Sequence, residues 1–198
     1  MNTLKAEKRS MDVKAKKLRR EGFVTGNVFG REMKESVPVK MDKKEVESFL
    51  KKNNKGSQVM LDVDGTKHNV LIKDIQFDPI KKQINEVDFQ ALVSNEAVHS
   101  VAEIVLVDAE KVTTGVLEEH LEEVAFKALP KDLVDKIEVN VGDMHAGDTI
   151  KVKDLDIAKN PEITLSTDPE ALIVSVTEVH ASADDEEAED GEQHEAVA

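Results

Sequence analysis

Val59-Met-Leu-Asp-Val63-Asp64-Gly65-Thr-Lys-His-Asn-Val70-Leu-Ile72-Lys73-Asp-Ile75, running on through Asp78-Pro79-Ile80-Lys81-Lys82 to Glu86-Val87-Asp88-Phe89-Gln90-Ala91, is the stretch that decides the fold. Val59, Leu61 and Val63 alternate with polar residues, the period of a strand with one buried face. Asp64-Gly65 is the residue pair that a two-residue type I′ hairpin turn asks for. A long return strand follows through Val70, Ile72 and Ile75, and its alternation slips near Lys73, which predicts a bulge there. Residues 78–82 form the next connection. Val87, Phe89 and Ala91 then face one way, and Glu86, Asp88 and Gln90 the other.

Upstream, Val37-Pro-Val39-Lys-Met41 reads as a short strand, and Asp42 with Glu45 as a helix N-cap and its capping-box partner. Val46, Phe49 and Leu50 follow at helical spacing until Asn53-Asn54-Lys55-Gly56 stops the helix. Gly22, Gly26 and Gly30 imply turns or close backbone approach rather than a long helix. Several strands and at least one helix within about ninety residues are packed most economically as a small closed or nearly closed barrel, which hides strand edges.

Charge divides the chain. Residues 1–92 hold 20 Lys+Arg against 14 Asp+Glu, whereas residues 93–198 hold 7 against 27. Such asymmetry suggests that one half meets a polyanion. The first twenty residues carry Lys5, Lys8, Arg9, Lys14, Lys16, Lys17, Arg19 and Arg20 against Glu7 and Asp12 alone. Arginines at 9, 19 and 20 can fork onto phosphate or guanine, and lysines at 14, 16 and 17 act as point charges.

The second half is also β-rich. Ile104-Val-Leu-Val107 is an apolar run, Ile137, Val139 and Val141 alternate, as do Ile150 and Val152, and Leu172-Ile-Val-Ser-Val176 is another strand. Leu117, Leu121, Val124 and Ala128 suit a helix, while Val124, Phe126 and Ala128 suit a strand, and periodicity leaves both open. Residues 181–198 hold eight acidic residues, no Lys or Arg and nothing able to form a core, and read as a disordered acidic tail. The expected organisation is mainly β with a few helices, a β-rich α+β chain: a β-barrel-like domain over 1–92, an acidic β-rich domain over 93–180, and the tail.

The absence of Cys excludes disulfides and thiolate metal sites. Asp143, His145 and Asp148 gather around Gly142 and Gly147, where turn composition accounts for them without a metal. No nucleophile elbow, phosphate-binding loop or zincin motif is present, so no enzyme, cofactor or small-molecule substrate is expected. With no apolar leader and no membrane-length apolar run, a soluble cytoplasmic protein is expected.

Three stretches carry a resemblance: Lys-Ala-Lys-Lys-Leu-Arg-Arg-Glu-Gly at 14–22, Asn-Val-Phe-Gly at 27–30, and Val-Leu-Ile-Lys-Asp-Ile-Gln-Phe-Asp-Pro at 70–79 leading to Glu86-Val-Asp-Phe89. In order and spacing they resemble the bacterial large-subunit ribosomal protein L-twenty-five family. Gly-Val-Leu-Glu at 115–118, Ala-Leu-Pro-Lys-Asp-Leu at 128–133 and Ile-Glu-Val-Asn-Val at 137–141 resemble its longer two-domain branch, the general stress protein Ctc type. The chain departs from the pattern where Asp78 and Glu86 replace two His residues, where residues 10–15 replace a Gly-Lys-Gly-like loop, and where residues 23–26 lack a Pro.

The resemblance implies a six-stranded barrel-like domain that binds 5S ribosomal RNA at its loop E, with large-subunit components as further partners. Lys73, Gln76 and Asp88 are then candidates for the RNA-facing barrel surface. A turn centred near Lys81 sets Asp88 opposite 73–74 and Gln76 near Glu86, so a cross-strand Lys73–Asp88 ion pair is the plainer alternative. Phe29 stands at a position where the family has an aromatic, and either stacks on a base or fills the core. A second reading makes the acidic half a protein–protein module on a stress-conditional ribosome-associated protein.

Overall fold

A computed structural model describes residues 3–178; the acidic segment read as a tail lies outside the described residues. The first half is a closed barrel with strand order β1-β3-β2-β6-β5-β4. Its strands are β1 (Thr3–Lys8), β2 (Phe23–Phe29), β3 (Val37–Asp42), β4 (Gln58–Val63), β5 (Thr66–Asp78) and β6 (Gln83–Ala91), with helices α1 (Ala15–Arg20) and α2 (Lys43–Leu50). The β4–β5 hairpin turns at Asp64 (φ 50°) and Gly65 (φ 87°), two consecutive left-handed residues as a type I′ turn requires. The Asp42 carboxylate caps α2 by accepting the Lys44 and Glu45 N–H groups.

Two parallel seams close the barrel. β1 runs parallel to β4, with Leu4 beside Leu61. β2 runs parallel to β6, with Thr25 beside Glu86 and Val28 beside Phe89. The second seam depends on Gly26, because a Cβ there would stand 2.0 Å from the Val87 carbonyl oxygen. Val24, Val28, Val39, Met41, Leu61, Ile72 and Phe89 fill the interior. β1 and β2 were not legible as strands, since basic residues and a glycine mask their alternation. The burial of Leu4 and Ala6 between exposed neighbours shows it for β1.

The β5–β6 register sets Asp74 opposite Asp88 and Gln76 opposite Glu86, and it shifts between Ile72 and Asp74. Lys73 is therefore the extra residue of the expected bulge. A bulge re-aims the side chain it carries, and this one sends Lys73 to the second half of the chain.

That half packs two sheets around its own apolar cluster. The first sheet, in order β10-β7-β9-β12, comprises β7 (Val98–Val107), β9 (Glu123–Ala128), β10 (Lys136–Asn140) and β12 (Thr164–Leu165). The second, in order β11-β13-β8, comprises β8 (Val116–Glu119), β11 (Thr149–Lys151) and β13 (Leu172–Thr177). Ala102, Val124, Phe126, Val141, Val152, Ile173 and Val174 are fully buried between them. Residues 117–128, open between helix and strand, hold no helix: they run from β8 through a short break at 120–122 into β9. Phe126 points inward while Ala125 and Lys127 do not, which a period of 3.6 cannot arrange for this stretch.

The two halves meet at one joint. Gly56 (φ +88°) presses on the Val101 carbonyl, which a Cβ would approach to 1.9 Å. Around it Asn54 donates to Glu103, Lys55 reaches Glu123 at 3.2 Å, and Lys73 Nζ donates to the His99 carbonyl at 2.7 Å.

Three substitutions test these contacts. Gly26→Ala should lower unfolding stability by about 3 kcal/mol in urea denaturation, as overpacking against backbone does. Gly65→Ala, with open space around its Cβ position but a left-handed backbone, should cost only about 1 kcal/mol. Gly56→Val should leave both cores folded yet speed amide exchange at Val101 and neighbouring β7 residues.

Candidate nucleic-acid interface

The outward residues of β2, β6 and β5 form one continuous polar surface. Asn27 and Phe29 lie on β2, Glu86, Asp88 and Gln90 on β6, and Asp74 and Gln76 on β5, aligned by the ladder registers, while Thr25 has the same parity on β2 but is fully buried. Phe29 is 36% exposed, so it lies on this face and not in the barrel core. The ladder residues on either side of Asn27 pair with β6 directly, and there the Asp88 carboxylate accepts the Asn27 backbone N–H at 3.1 Å. Asp88 is thereby aimed, and keeps a second oxygen for an outside donor.

α1 flanks this face along β2. It buries only Leu18 and carries Lys17, Arg19 and Arg20 in its last turn, where cations complement the helix dipole. Its basic residues divide by what they touch. Lys14, Lys16 and Arg20 are exposed and form no ion pair among the described residues, and Lys17 sits 3.9 Å from Glu21 in a solvated pair. Arg19 is different: Nε donates to the Asn85 carbonyl at 3.1 Å, and one terminal nitrogen lies 3.4 Å from Thr25 Oγ1 and 3.8 Å from Glu86. It clamps α1 to β6. Arg9 is also occupied, donating to the Val13 carbonyl at 3.0 Å and so holding the turn before α1.

Lys73 leaves the expected face altogether. It neither pairs with Asp88 nor lies beside Gln76; burial at the joint, with Lys55 close by, holds its ammonium below its ordinary value. Of the sequence-derived residues, the structure thus brings together Lys14, Lys16, Lys17, Arg20, Phe29, Gln76 and Asp88. It assigns Arg9 and Arg19 to internal contacts and removes Lys73. Asn27 was missed, although Val24-Thr-Gly-Asn-Val28 does alternate once Gly26 is counted as an inward position.

The two acidic departures have internal tasks. Glu86 faces Arg19. Asp78 accepts the Ile80 and Lys81 N–H groups at 3.1 Å, closing the β5–β6 turn. The Lys81 N–H bond, helped by the Lys81 charge, holds the Asp78 carboxyl below the usual carboxylate range.

The comparisons with known proteins agree with this architecture. The profile of the Ribosomal L25p family matches residues 4–89, and that of the Ribosomal protein TL5, C-terminal domain, matches residues 97–180. A "Large ribosomal subunit protein bL25" of Finegoldia magna is 33% identical over 177 residues, covering 88% of this chain and 83% of that protein. The chain belongs to the ribosomal L25p family. Proteins of the same name from Bacillus velezensis, 32% identical over 96% of this chain and 94% of the relative, and from Dictyoglomus thermophilum, 35% identical over 82% and 81%, extend the likeness across both halves. Within this L25p chain, the barrel with its basic helix occupies the first profile, and the two-sheet half the second.

The Arg19 clamp is testable by a double-mutant cycle. Arg19→Ala and Glu86→Ala should couple by about 0.5–1 kcal/mol in urea unfolding, as a partly exposed pair does. A coupling indistinguishable from zero would show that Glu86 does not hold Arg19 and would leave the clamp to the Asn85 carbonyl alone.

Proposed function

We propose that this chain is a structural component of the large ribosomal subunit that binds 5S ribosomal RNA at loop E through α1 and the outward face of β2, β6 and β5. In this reading residues 1–92 are the RNA-binding unit, residues 93–180 a second domain that binds no RNA, and the protein works in the cytoplasm on the ribosome. One observation carries it: a helix whose Lys14, Lys16 and Arg20 find no acidic partner among the described residues lies beside an exposed, carboxylate- and amide-bearing sheet face. Family membership and the names of the relatives support the ribosomal part of the reading.

The chemistry divides between the two surfaces. The lysines and Arg20 neutralise phosphates and release counterions, which supplies salt-sensitive affinity without sequence preference. The sheet face supplies discrimination. Gln76 both donates and accepts, Asn27 donates, and Asp88 accepts from base amino or imino groups presented in a shallow RNA groove. Phe29 offers a stacking plane at the edge of the same face. Asp74, exposed on the same face, makes a duplex of ordinary outline an unfavourable partner, because its charge is tolerated only where the RNA offers donors.

A gel shift of the full chain with labelled 5S RNA between about 50 and 300 mM salt tests the proposal. Tight binding that a fully Watson–Crick-paired loop E fails to compete away is expected. Lys16→Glu with Arg20→Glu should weaken it at least tenfold and flatten its salt dependence, without altering the thermal midpoint. Asp88→Asn should leave the salt slope unchanged and reduce the preference for native loop E. Equal competition by both RNAs would overturn the loop E assignment, and unchanged affinity in the double charge reversal would overturn the placement on α1.

A further inference from the structure

β10 ends its sheet, and among the described residues one of its edges is unpaired. Its parallel register on β7 sets Lys136 beside Glu103 and Asn140 beside Val107. The Glu103 N–H donates to the Asp135 carbonyl, and the Val141 N–H to the Val107 carbonyl. In a parallel ladder, one strand uses alternate residues toward its neighbour, so residues 137, 139 and 141 face β7. The N–H and C=O groups of Lys136, Glu138 and Asn140 point the other way, and among the described residues no strand receives them. Three successive donor–acceptor pairs therefore line an open edge.

A groove of about 810 Å³ runs along that edge, and all five β10 residues line it. Residues from both faces of a strand can line one groove only where its edge is open. Apolar side chains of Ile150, Leu155, Ile157 and Ile163 supply the far wall, and Asp154 and Asp156 its rim opposite Glu138. Asp156 is partly neutralised by Lys159 at 3.1 Å, and Lys136 lies 3.8 Å from Glu103, which leaves Glu138 and Asp154 as the carboxylates without a cationic partner among the described residues. The setting is strongly acidic, since residues 93–178 hold 7 Lys+Arg against 19 Asp+Glu. Polyanions are repelled from such a surface.

We propose that the β10 edge and its groove dock an extended, basic peptide segment of a partner protein, added to the sheet as a further strand. Main-chain bonds to Lys136, Glu138 and Asn140 supply affinity. Alternate apolar side chains of the segment enter the groove, and its Lys or Arg residues meet Glu138 and Asp154. The short β10 and its charged outward side chains protect the edge against self-association, while a segment of opposite charge gains from them. This site is independent of the RNA-binding reading, because it uses residues of the second half alone.

The test is a titration of the ¹⁵N-labelled full chain with a capped peptide alternating Lys and Val over nine residues. A second peptide is N-methylated on alternate residues so that one edge cannot pair, and a third carries Glu for Lys. Shifts and slowed exchange at the Lys136, Glu138 and Asn140 amides are expected. The N-methylated peptide should bind about tenfold or more weakly, and the Glu peptide should leave these amides unmoved. Glu138→Lys, at an exposed position with no side-chain partner among the described residues, should weaken the Lys peptide severalfold without shifting the thermal midpoint. Equal binding of the N-methylated peptide would overturn strand addition. Shifts scattered over the acidic surface with these three amides unmoved would overturn the site, and shifts of the same amides by oligouridylate would overturn the assignment to a protein partner.

Discussion

Everything in the first half rests on how closely β2 approaches β6. Two parallel neighbours in a small barrel, joined through long intervening chain, leave no room for a side chain where Gly26 meets the Val87 carbonyl. That approach completes the ring, removes two strand edges and sets the outward residues of both strands in one plane. It also places Asn85 and Glu86 under Arg19, so the docking of α1 follows from the same contact. The basic helix and the polar face are neighbours because the seam is tight.

The electrostatics of that surface are graded. Carboxylates on a face that meets RNA are unfavourable unless each is aimed or compensated. Asp88 is aimed by the Asn27 N–H, Glu86 is compensated by Arg19, and Asp78 is folded into its own turn. The cations that remain unengaged lie on α1 at the border. In the proposed RNA-binding reading, affinity and discrimination thus fall to different elements, one short and solvated, the other rigid and laddered.

What was legible in the sequence was what neighbouring residues decide. The β4–β5 hairpin follows from period-two alternation around Asp64-Gly65, the bulge from a slipped alternation at Lys73, and α2 from Asp42 and the spacing of Val46, Phe49 and Leu50. The six-stranded count came from resemblance, as did the expectation of 5S RNA as a partner. What was not legible depended on distant partners. Arg19 looks like one more free cation until Asn85, 66 residues away, is brought beneath it. Lys73 looks like a barrel-face residue until the bulge turns it to His99. β1 offers only Leu4 and Ala6 as inward residues, too few for a periodic signal, and α1, at six residues, is too short for one.

The parallel seams also govern the order in which this chain becomes itself during synthesis. β1 waits for β4, and β2 for β6, whose residues emerge some sixty positions later. Contacts so far apart in sequence are slow to form and leave strand edges bare in the interim. Until residue 89 has left the exit tunnel, α1 has no floor, and its cations hang on an unclosed sheet. Competence to hold an ordered partner therefore arrives late and abruptly, with the final strand of the barrel, and a nascent chain halted short of it would offer charge without shape.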